Sequence, residues 1–182
     1  MRVSAVLLAA GSARRFGGDK LKAYLDGQSV FQHVLNALSG FDFHEVLAVV
    51  RPGYRLDAPR VRVVENPLAD DGMGRSLALG IASLTVTDAV FVVLADMPFL
   101  PDGIFHQVVR ALPGHDIAAP RHNGQTGHPV LFSSVCFSRL LRLEGDRGGR
   151  ALIESGHYRV CFVDSDSDGV LRDVDRPDDL RR

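Results

Sequence analysis

The chain has 182 residues, of which 46% are hydrophobic and 24% are charged, a composition typical of an ordinary globular domain. A chain of this length buries about 70% of the surface that its unfolded form exposes, so it needs neither a metal nor a disulfide to hold its core together. Lys and Arg total 21 and Asp and Glu total 22, and the resulting net charge of −1 excludes a general attraction for a nucleic-acid backbone. We therefore expect a single domain over residues 1–182 that binds any anion through local contacts.

The sequence shows no disulfide framework, cysteine zinc site or membrane span. Cys136 and Cys161 are far apart and form no Cys-x-x-Cys motif, so they are interpreted as free thiols. The longest apolar runs, such as 89–95, are much shorter than the ~20 residues of a membrane helix. The apolar stretch 3–10 has some likeness to a secretory signal, but a glycine-rich loop follows it directly, which favours a buried strand. We expect a cytoplasmic protein with no nucleic-acid or membrane partner.

Apolar runs and helical patterns alternate along the first part of the chain. Continuous apolar runs predict strands, covered on both faces, at 3–10, 46–50, 61–64 and 90–95. Between them, Ser29 and Gln32 form a capping box for a helix that ends at Gly40, and apolar stripes predict helices around 77–84 and 104–112. This alternation predicts an α/β fold with a mainly parallel sheet.

The second part of the chain is less regular but contains no linker or repeat that would divide it. Strands are expected at 117–119, 130–132 and 160–163, with helices at 138–143 and 150–154. One sheet is therefore expected to run through the whole chain. Ligands of open α/β sheets bind beyond the carboxyl ends of the strands, and the unusual loops of this sequence do follow predicted strands.

The loop after the first strand combines glycines with cations. Its glycines let backbone amides turn toward a ligand, and its cations can neutralise phosphate oxygens. These residues are Gly11, Gly17, Gly18, Arg14, Arg15 and Lys20. The loop matches neither the Walker motif nor the dinucleotide fingerprint. A triphosphate cradle and a solvated glycine-rich turn therefore both remain open.

Two aspartates are candidate ligands of a magnesium ion. Asp96 ends the most apolar strand, where its carboxylate must meet a cation, a hydrogen-bond donor or water. Magnesium prefers one or two carboxylates together with substrate phosphates, which favours a metal over a turn-capping role. Asp175 could supply the second carboxylate or be structural. Asp178 and Asp179 are interpreted as first-turn acids of a short helix begun by Pro177.

Three further loops carry candidate binding residues. The loop from Asn66 to Ser76 is rich in glycine and could clasp a base or ribose, or cap the following helix. His128, in a Gly-His-Pro segment, fits a turn or core residue as well as a catalyst. The segment 145–150 again joins glycines to cations, which suits an anionic group or a connection between helices.

Taken together, these loops resemble the molybdenum cofactor cytidylyltransferases. The resemblance covers nearly the whole chain in the right order and rests on segments 8–20, 25–27, 72–73, 96–98, 127–129 and 173–179. Many nucleotidyltransferases share the opening signature, including the guanylyltransferase that acts on the same cofactor. The cytidylyl branch is favoured by Ala9-Ala10-Gly11, where guanylyl relatives commonly have Ala-Gly-Gly, and by the Gly-His-Pro and Gly-Asp-Arg-Gly segments.

The resemblance implies a Rossmann-like three-layer fold with a mainly parallel, mixed sheet. It implies transfer of CMP from CTP to the phosphate of molybdopterin, with release of pyrophosphate and with Mg²⁺ as cofactor. A molybdoenzyme or its chaperone would receive the product. The implied catalytic residues are Arg15, Lys20 and Asp96, and the implied metal ligands are Asp96 and Asp175. Nucleotide contacts would come from Ala9, Ala10, Gly11, Arg15, Lys20, Asn66, Gly72 and Ser76, and acceptor contacts from Gly127, His128, Asp146 and Arg150.

Other functions fit the same residues. One is guanylyl transfer to the same cofactor, and another is cytidylyl transfer to a different small phosphorylated acceptor. A nucleotide-binding module without transfer activity is a third. At Gly74-Arg75 the sequence departs from relatives, which often have serines beside Gly-Met, and this leaves the base contacts open.

Overall fold

The computed structural model describes residues 1–11 and 15–180. Arg14, one of the predicted phosphate-binding cations, lies outside these described residues. The strands are β1 (Val3–Leu8), β2 (Tyr24–Leu25), β3 (Gln28–Ser29), β4 (Glu45–Val50), β5 (Arg62–Glu65), β6 (Ala89–Leu94), β7 (Ile117–His122), β8 (Gln125–Thr126), β9 (Val130–Ser133) and β10 (Val160–Asp164). The helices are α1 (Val30–Ser39), α2 (Met73–Ser83), α3 (Ile104–Ala111), α4 (Phe137–Leu140) and α5 (Arg150–Glu154). None of the helices in the described ranges is long and apolar enough to cross a bilayer.

One mixed sheet organises the chain, in the strand order β10-β7-β9-β6-β1-β4-β5, with β8 paired to β7. The pairs β1 with β4, β1 with β6, β4 with β5 and β7 with β10 are parallel. Strand β9 runs antiparallel to both of its neighbours, β6 and β7. The predicted mainly parallel α/β sheet is confirmed.

The helices cover the sheet on both faces, which gives three layers. Successive residues of β1 face opposite sides, so Leu7 packs with α1 and α3 while Val6 packs with α2, α4 and α5. Both side chains are fully buried. The helix over 150–154 is confirmed, whereas α4 is shorter than expected and ends at Leu140.

Two local expectations differ from the structure. Among the described residues, strand β5 pairs with β4 alone and forms an edge of the sheet. Its Arg62 and Val63 are exposed, so the strand is not covered on both faces. Ser29 does cap α1 by accepting a hydrogen bond from the Gln32 amide at 3.1 Å. The Gln32 side chain donates instead to Asn36, so only half of the predicted capping box forms.

Gly80 allows α2 to lie close against the centre of the sheet. A Cβ atom at this position would lie 2.5 Å from Cγ1 of Val6 and 3.1 Å from Cγ2 of Val49. Both valines are buried and β-branched, so neither can turn away easily. The close approach therefore depends on the missing side chain.

Gly80→Ala should lower the free energy of unfolding by about 1–2 kcal/mol, because overpacking outweighs the gain in helix propensity. Chemical denaturation measures this change. Gly40→Ala is the matched control, since Gly40 has an ordinary φ of −76° and its Cβ would meet only the Ala37 carbonyl at 3.5 Å. A loss of stability in the control as large as that in the Gly80 variant would contradict this packing argument.

Candidate active site

A cavity of about 800 Å³ lies at the carboxyl edge of the sheet. The loops that follow β1, β4, β5 and β6 line it, because the carboxyl ends of these parallel strands meet at the same edge. Ten of the predicted site residues line this cavity: Ala9, Ala10, Gly11, Arg15, Lys20, Gly72, Ser76, Asp96, Asp146 and Asp175. The edge predicted to bind the ligand is therefore the edge that forms the cavity.

Lys20 lies at the centre of the charged part of this cavity. Its Nζ donates to Oδ2 of Asp96 at 2.5 Å and to Oδ1 of Asp175 at 3.4 Å. The Lys20 side chain is only 11% exposed and that of Asp96 18%. The neighbouring Leu21 fixes the position of Lys20, because its side chain is buried in the core and its carbonyl accepts from the Phe31 amide at the start of α1.

The backbone around Asp96 is held by the core. Ala95 and Met97 on either side of it are buried, and the Ala95 amide donates to the Leu8 carbonyl at the end of β1. The Asp96 carbonyl accepts a hydrogen bond from the Val174 amide at 2.9 Å. This bond attaches the 173–175 segment beside Asp96.

Three carboxylates converge at this point. Oxygen atoms of Asp96, Asp173 and Asp175 all lie within 4.8 Å of one another. Val174 is fully buried, which anchors the two acids that flank it. Asp179 further fixes Asp175 by accepting from its amide at 2.9 Å, and it belongs to the short 3-10 turn Pro177–Leu180. The structure thus gives Asp179 the helix-start role predicted for it.

Asp173 is a candidate ligand that the sequence interpretation missed. Its alternation with Asp175 around an apolar residue was the signal that could have identified it. Burial raises the pKa of the Asp173 carboxyl group above its usual range, and the negative charges of Asp96 and Asp175 raise it further. The three acids therefore repel one another unless a cation lies nearby.

The acidic cluster fits a divalent cation. Oδ1 of Asp96 is shielded from solvent and accepts no hydrogen bond from any residue that the structure describes. Carboxylate oxygens are the ligands that magnesium and similar hard cations prefer. A cation beside Asp96 would satisfy this oxygen and relieve the repulsion.

Arg15 lies at the exposed rim of the charged region. Its Nη1 is 3.0 Å from Oδ2 of Asp175, and 73% of its side chain is exposed. Together with Lys20 it places two positive charges opposite the three acids. Burial by itself lowers the pKa of Lys20, but attraction by Asp96, a hydrogen bond to it and the charge of Asp175 outweigh burial and raise that pKa. Lys20 is therefore fully charged at neutral pH.

A glycine contact joins two of the loops that line the cavity. Gly72 has φ of +103°, and a Cβ atom there would lie 2.5 Å from the carbonyl of Gly145. The Gly74 amide donates to the same carbonyl at 2.7 Å. This contact brings the 145–146 loop against the 72–76 loop, so Asp146 lines the cavity beside Gly72.

Asn66 is not among the cavity-lining residues, although Ser76 is. Asn66 is buried beneath the loop, where its Nδ2 donates to Oγ of Ser76 at 3.0 Å. Its Oδ1 accepts from the Leu68 amide at 2.9 Å. Its geometry is that of a loop support, and its direct contact with nucleotide stays a prediction.

Arg51 and Tyr54 line the cavity without having been predicted. Nη2 of Arg51 donates to Asp70 at 2.8 Å, while its Nε is shielded and has no hydrogen-bond partner among the described residues. Tyr54 donates its hydroxyl to the Asp19 carboxylate at 2.7 Å. Both follow β4, so the rule about strand ends could have identified them.

Three of the expected acceptor residues do not line the cavity. Gly127 packs so closely on the Val170 carbonyl that a Cβ atom would lie 2.3 Å from it. The His128 amide donates a hydrogen bond to the same carbonyl. Burial lowers the pKa of the His128 imidazole, although the negative charge of Asp96 favours the charged imidazolium. Arg150 points to Glu154 within α5, with its Nε 2.6 Å from the carboxylate. Pterin contacts at these positions stay predictions.

The fold and the charged cleft define a class of enzyme, the nucleotidyltransferases. Two cations facing a carboxylate cluster beyond the strand ends suit a nucleoside triphosphate and its divalent ion. The chain belongs to the MobA-like NTP transferase domain family, whose model matches residues 5–160. This confirms the nucleotidyltransferase resemblance at the level of the family.

Named relatives and a solved structure extend along nearly the whole chain. Purine catabolism protein PucB of Bacillus subtilis (strain 168) is 30% identical, over 96% of this chain and 92% of that protein. The molybdenum cofactor cytidylyltransferase of Escherichia coli (strain K12) is 26% identical, over 98% of this chain and 93% of that protein. Rv0371c of Mycobacterium tuberculosis H37Rv, solved in complex with manganese, is 27% identical with a TM-score of 0.79, over 100% of this chain and 97% of that one.

Asn66→Ala should lower the free energy of unfolding by about 2 kcal/mol, because it leaves the buried Ser76 hydroxyl and Leu68 amide without their partner. Urea denaturation measures the change. Asn36→Ala is the control, since Asn36 makes its side-chain hydrogen bonds on the exposed face of α1, and it should shift stability by no more than about 0.5 kcal/mol. Equal effects of the two variants would contradict the supporting role of Asn66.

Tyr54→Phe should cost about 1 kcal/mol of stability at pH 7, and this difference should vanish at higher pH. Burial and the Asp19 carboxylate raise the pKa of Tyr54, so the folded state favours the neutral phenol. The neutral Tyr54 hydroxyl therefore contributes its full stabilisation of the folded state below the unfolded-state pKa of about 10. That contribution is lost as the pH rises above this value. Denaturation at several pH values tests this, with the exposed Tyr24→Phe as control. A Tyr54→Phe deficit that persists unchanged well above pH 10 would contradict the assignment.

Proposed function

We propose that the protein transfers CMP from CTP to the phosphate of molybdopterin and releases pyrophosphate. The observation that carries the proposal is the cleft in which Arg15 and Lys20 face Asp96, Asp173 and Asp175. Its volume of about 800 Å³ is in the range of sites for nucleotide-sized ligands. We also propose that the enzyme works in the cytoplasm and passes its product to a molybdoenzyme or its chaperone.

In the proposed reaction, a phosphate oxygen of the acceptor attacks the α-phosphorus of CTP. A bond forms between this oxygen and the α-phosphorus while the bond to the bridging oxygen of the β-phosphate breaks, and pyrophosphate leaves with that electron pair. The acceptor brings its own nucleophile, so no Ser, Cys or His nucleophile is required. Positioning and charge neutralisation are then the main tasks of the protein.

The residues of the cleft would divide these tasks. Lys20 and Arg15 would offset the charge that grows on the triphosphate as pyrophosphate departs. Ala9, Ala10 and Gly11 offer backbone groups at the end of β1, and Ser76 offers a hydroxyl held by Asn66. Asp146 would face the acceptor, since the 145–146 loop brings it to the cavity wall.

The three aspartates would hold a magnesium ion. A magnesium ion bound there would neutralise phosphate charge and act as a Lewis acid toward the α-phosphate. Asp96 would be the principal ligand, because it is the most shielded and has an oxygen without a partner among the described residues. Manganese in the complex of the related Rv0371c protein supports a divalent ion in this class of fold.

We propose CTP and molybdopterin as the two substrates because of the sequence motifs and the name of one relative. The Ala9-Ala10-Gly11 sequence and the name of the Escherichia coli relative support them. PucB carries a name from purine catabolism, so the acceptor needs a direct test. The decisive experiment incubates the protein with molybdopterin, Mg²⁺ and each of CTP, GTP, ATP and UTP, and identifies the dinucleotide by mass spectrometry. A cytosine dinucleotide is expected, and preferential formation of another dinucleotide, or none, would overturn this assignment.

Lys20→Ala and Asp96→Ala should each lower kcat by about 100-fold or more while the protein stays folded, because each removes charge at the reacting phosphates. Pyrophosphate release under saturating substrates measures kcat, and circular dichroism confirms folding. Lys22→Ala is the control, because Lys22 pairs with Asp19 at 3.2 Å and is not among the residues that line the cavity. Wild-type turnover by either folded cleft variant would contradict the assigned roles.

A further inference from the structure

The ammonium group of Lys20 lies among the carboxylates that the proposed function assigns to the metal. Its Nζ is 2.5 Å from Asp96 and 3.4 Å from Asp175. Arg15 contacts the same Asp175 carboxylate from the rim at 3.0 Å. Two of the three candidate ligands are therefore already paired with cations of the chain itself.

A lysine ammonium is suited to take the place of a small metal ion. It is a compact point charge with three donors, whereas a guanidinium is broad and planar. Lys20 and Lys22 are the two lysines of a sequence that otherwise uses arginine as its cation. Lys22 is 66% exposed and pairs with Asp19, so only Lys20 reaches the carboxylate cluster.

The same ammonium is required elsewhere when substrate binds. In the proposed function Lys20 contacts the triphosphate, and it can leave Asp96 only if another cation replaces it, since Asp96 is largely shielded from water. A triphosphate supplies an alternative partner for Lys20, and the divalent ion that accompanies it supplies the replacement charge for Asp96. Binding of the triphosphate to Lys20 and binding of the divalent ion to Asp96 therefore favour each other.

We infer that Lys20 is a built-in counter-ion of the metal site, which keeps divalent ions weakly bound until a nucleoside triphosphate draws its ammonium away. The inference rests on the proposed role of Asp96 as metal ligand and adds an order of events to it. Without nucleotide, the metal ion and the Lys20 ammonium compete for the negative charge of the same carboxylates. With nucleotide, the protein holds metal and triphosphate together.

The test measures Mn²⁺ binding without nucleotide, from the electron paramagnetic resonance signal of free Mn²⁺. Lys20→Met keeps a flexible apolar stem but removes the charge, and it should bind Mn²⁺ about tenfold more tightly than the wild type. Lys22→Met removes the same charge from a lysine paired with Asp19 and should bind as the wild type does. Asp96→Asn should abolish the binding that the other three proteins share.

The outcomes separate the inference from the proposed function. Unchanged or weaker Mn²⁺ binding by Lys20→Met, with binding still abolished by Asp96→Asn, overturns the counter-ion role and leaves the metal site intact. An equal gain in both lysine variants also overturns it, because it would reflect net charge alone. Full Mn²⁺ binding by Asp96→Asn would instead reject the metal site on which the proposed function depends.

A second measurement observes the wild type, so its result does not depend on the stability of the Lys20 variant. Protein labelled with ¹³C at lysine Cε gives one signal for each of its two lysines, and Lys22→Met assigns them. Titration with Mg²⁺ alone should shift the Lys20 signal as its ammonium leaves Asp96, with the Lys22 signal unchanged. A Lys20 signal that stays in place while Mg²⁺ saturates the site would overturn the inference.

Discussion

The pairing of Lys20 with Asp96 is the contact on which the site is built. Both side chains are largely buried, and burial of an ion pair costs desolvation that the attraction between the charges often does not repay. Such a pair is therefore weak evidence for a stabilising role. The proposed function explains the pair better. In that function a polyphosphate would bind the ammonium group and a cation would bind the carboxylate, so the two side chains would part when substrate binds. Leu21 on one side, and Ala95 with Met97 on the other, anchor the two charges from the core.

The sheet decides which loops can meet this pair. Strands β1, β4, β5 and β6 are parallel neighbours, so their carboxyl ends present successive loops along one edge. Arg15, Lys20 and Asp96 line the cavity from the loops after β1 and β6, and Arg51, Gly72 and Ser76 line it from the segments after β4 and β5. The 173–175 segment completes it through the hydrogen bond from Val174 to Asp96.

Much of this arrangement could be predicted from sequence because its signals are local. Continuous apolar runs identify the central strands, and the glycine-rich loop with Arg15 and Lys20 follows the first of them. What could not be predicted depends on contacts between distant segments. Asn66 lies beneath Ser76, and Arg150 pairs with Glu154. Each position is set by neighbours that periodicity does not reveal. The apolar residues of strand β5 are typical of a central strand, and nothing in their pattern indicates that the strand lies at the edge of the sheet.

The most direct test of the account is a crystal structure with a CTP analogue that cannot release pyrophosphate, bound together with Mn²⁺. The account predicts an anomalous manganese peak within ligand distance of Asp96, with Lys20 moved onto the triphosphate and Arg15 beside it. It would be contradicted by a triphosphate bound away from this cleft, or by manganese bound elsewhere while Lys20 still contacts Asp96.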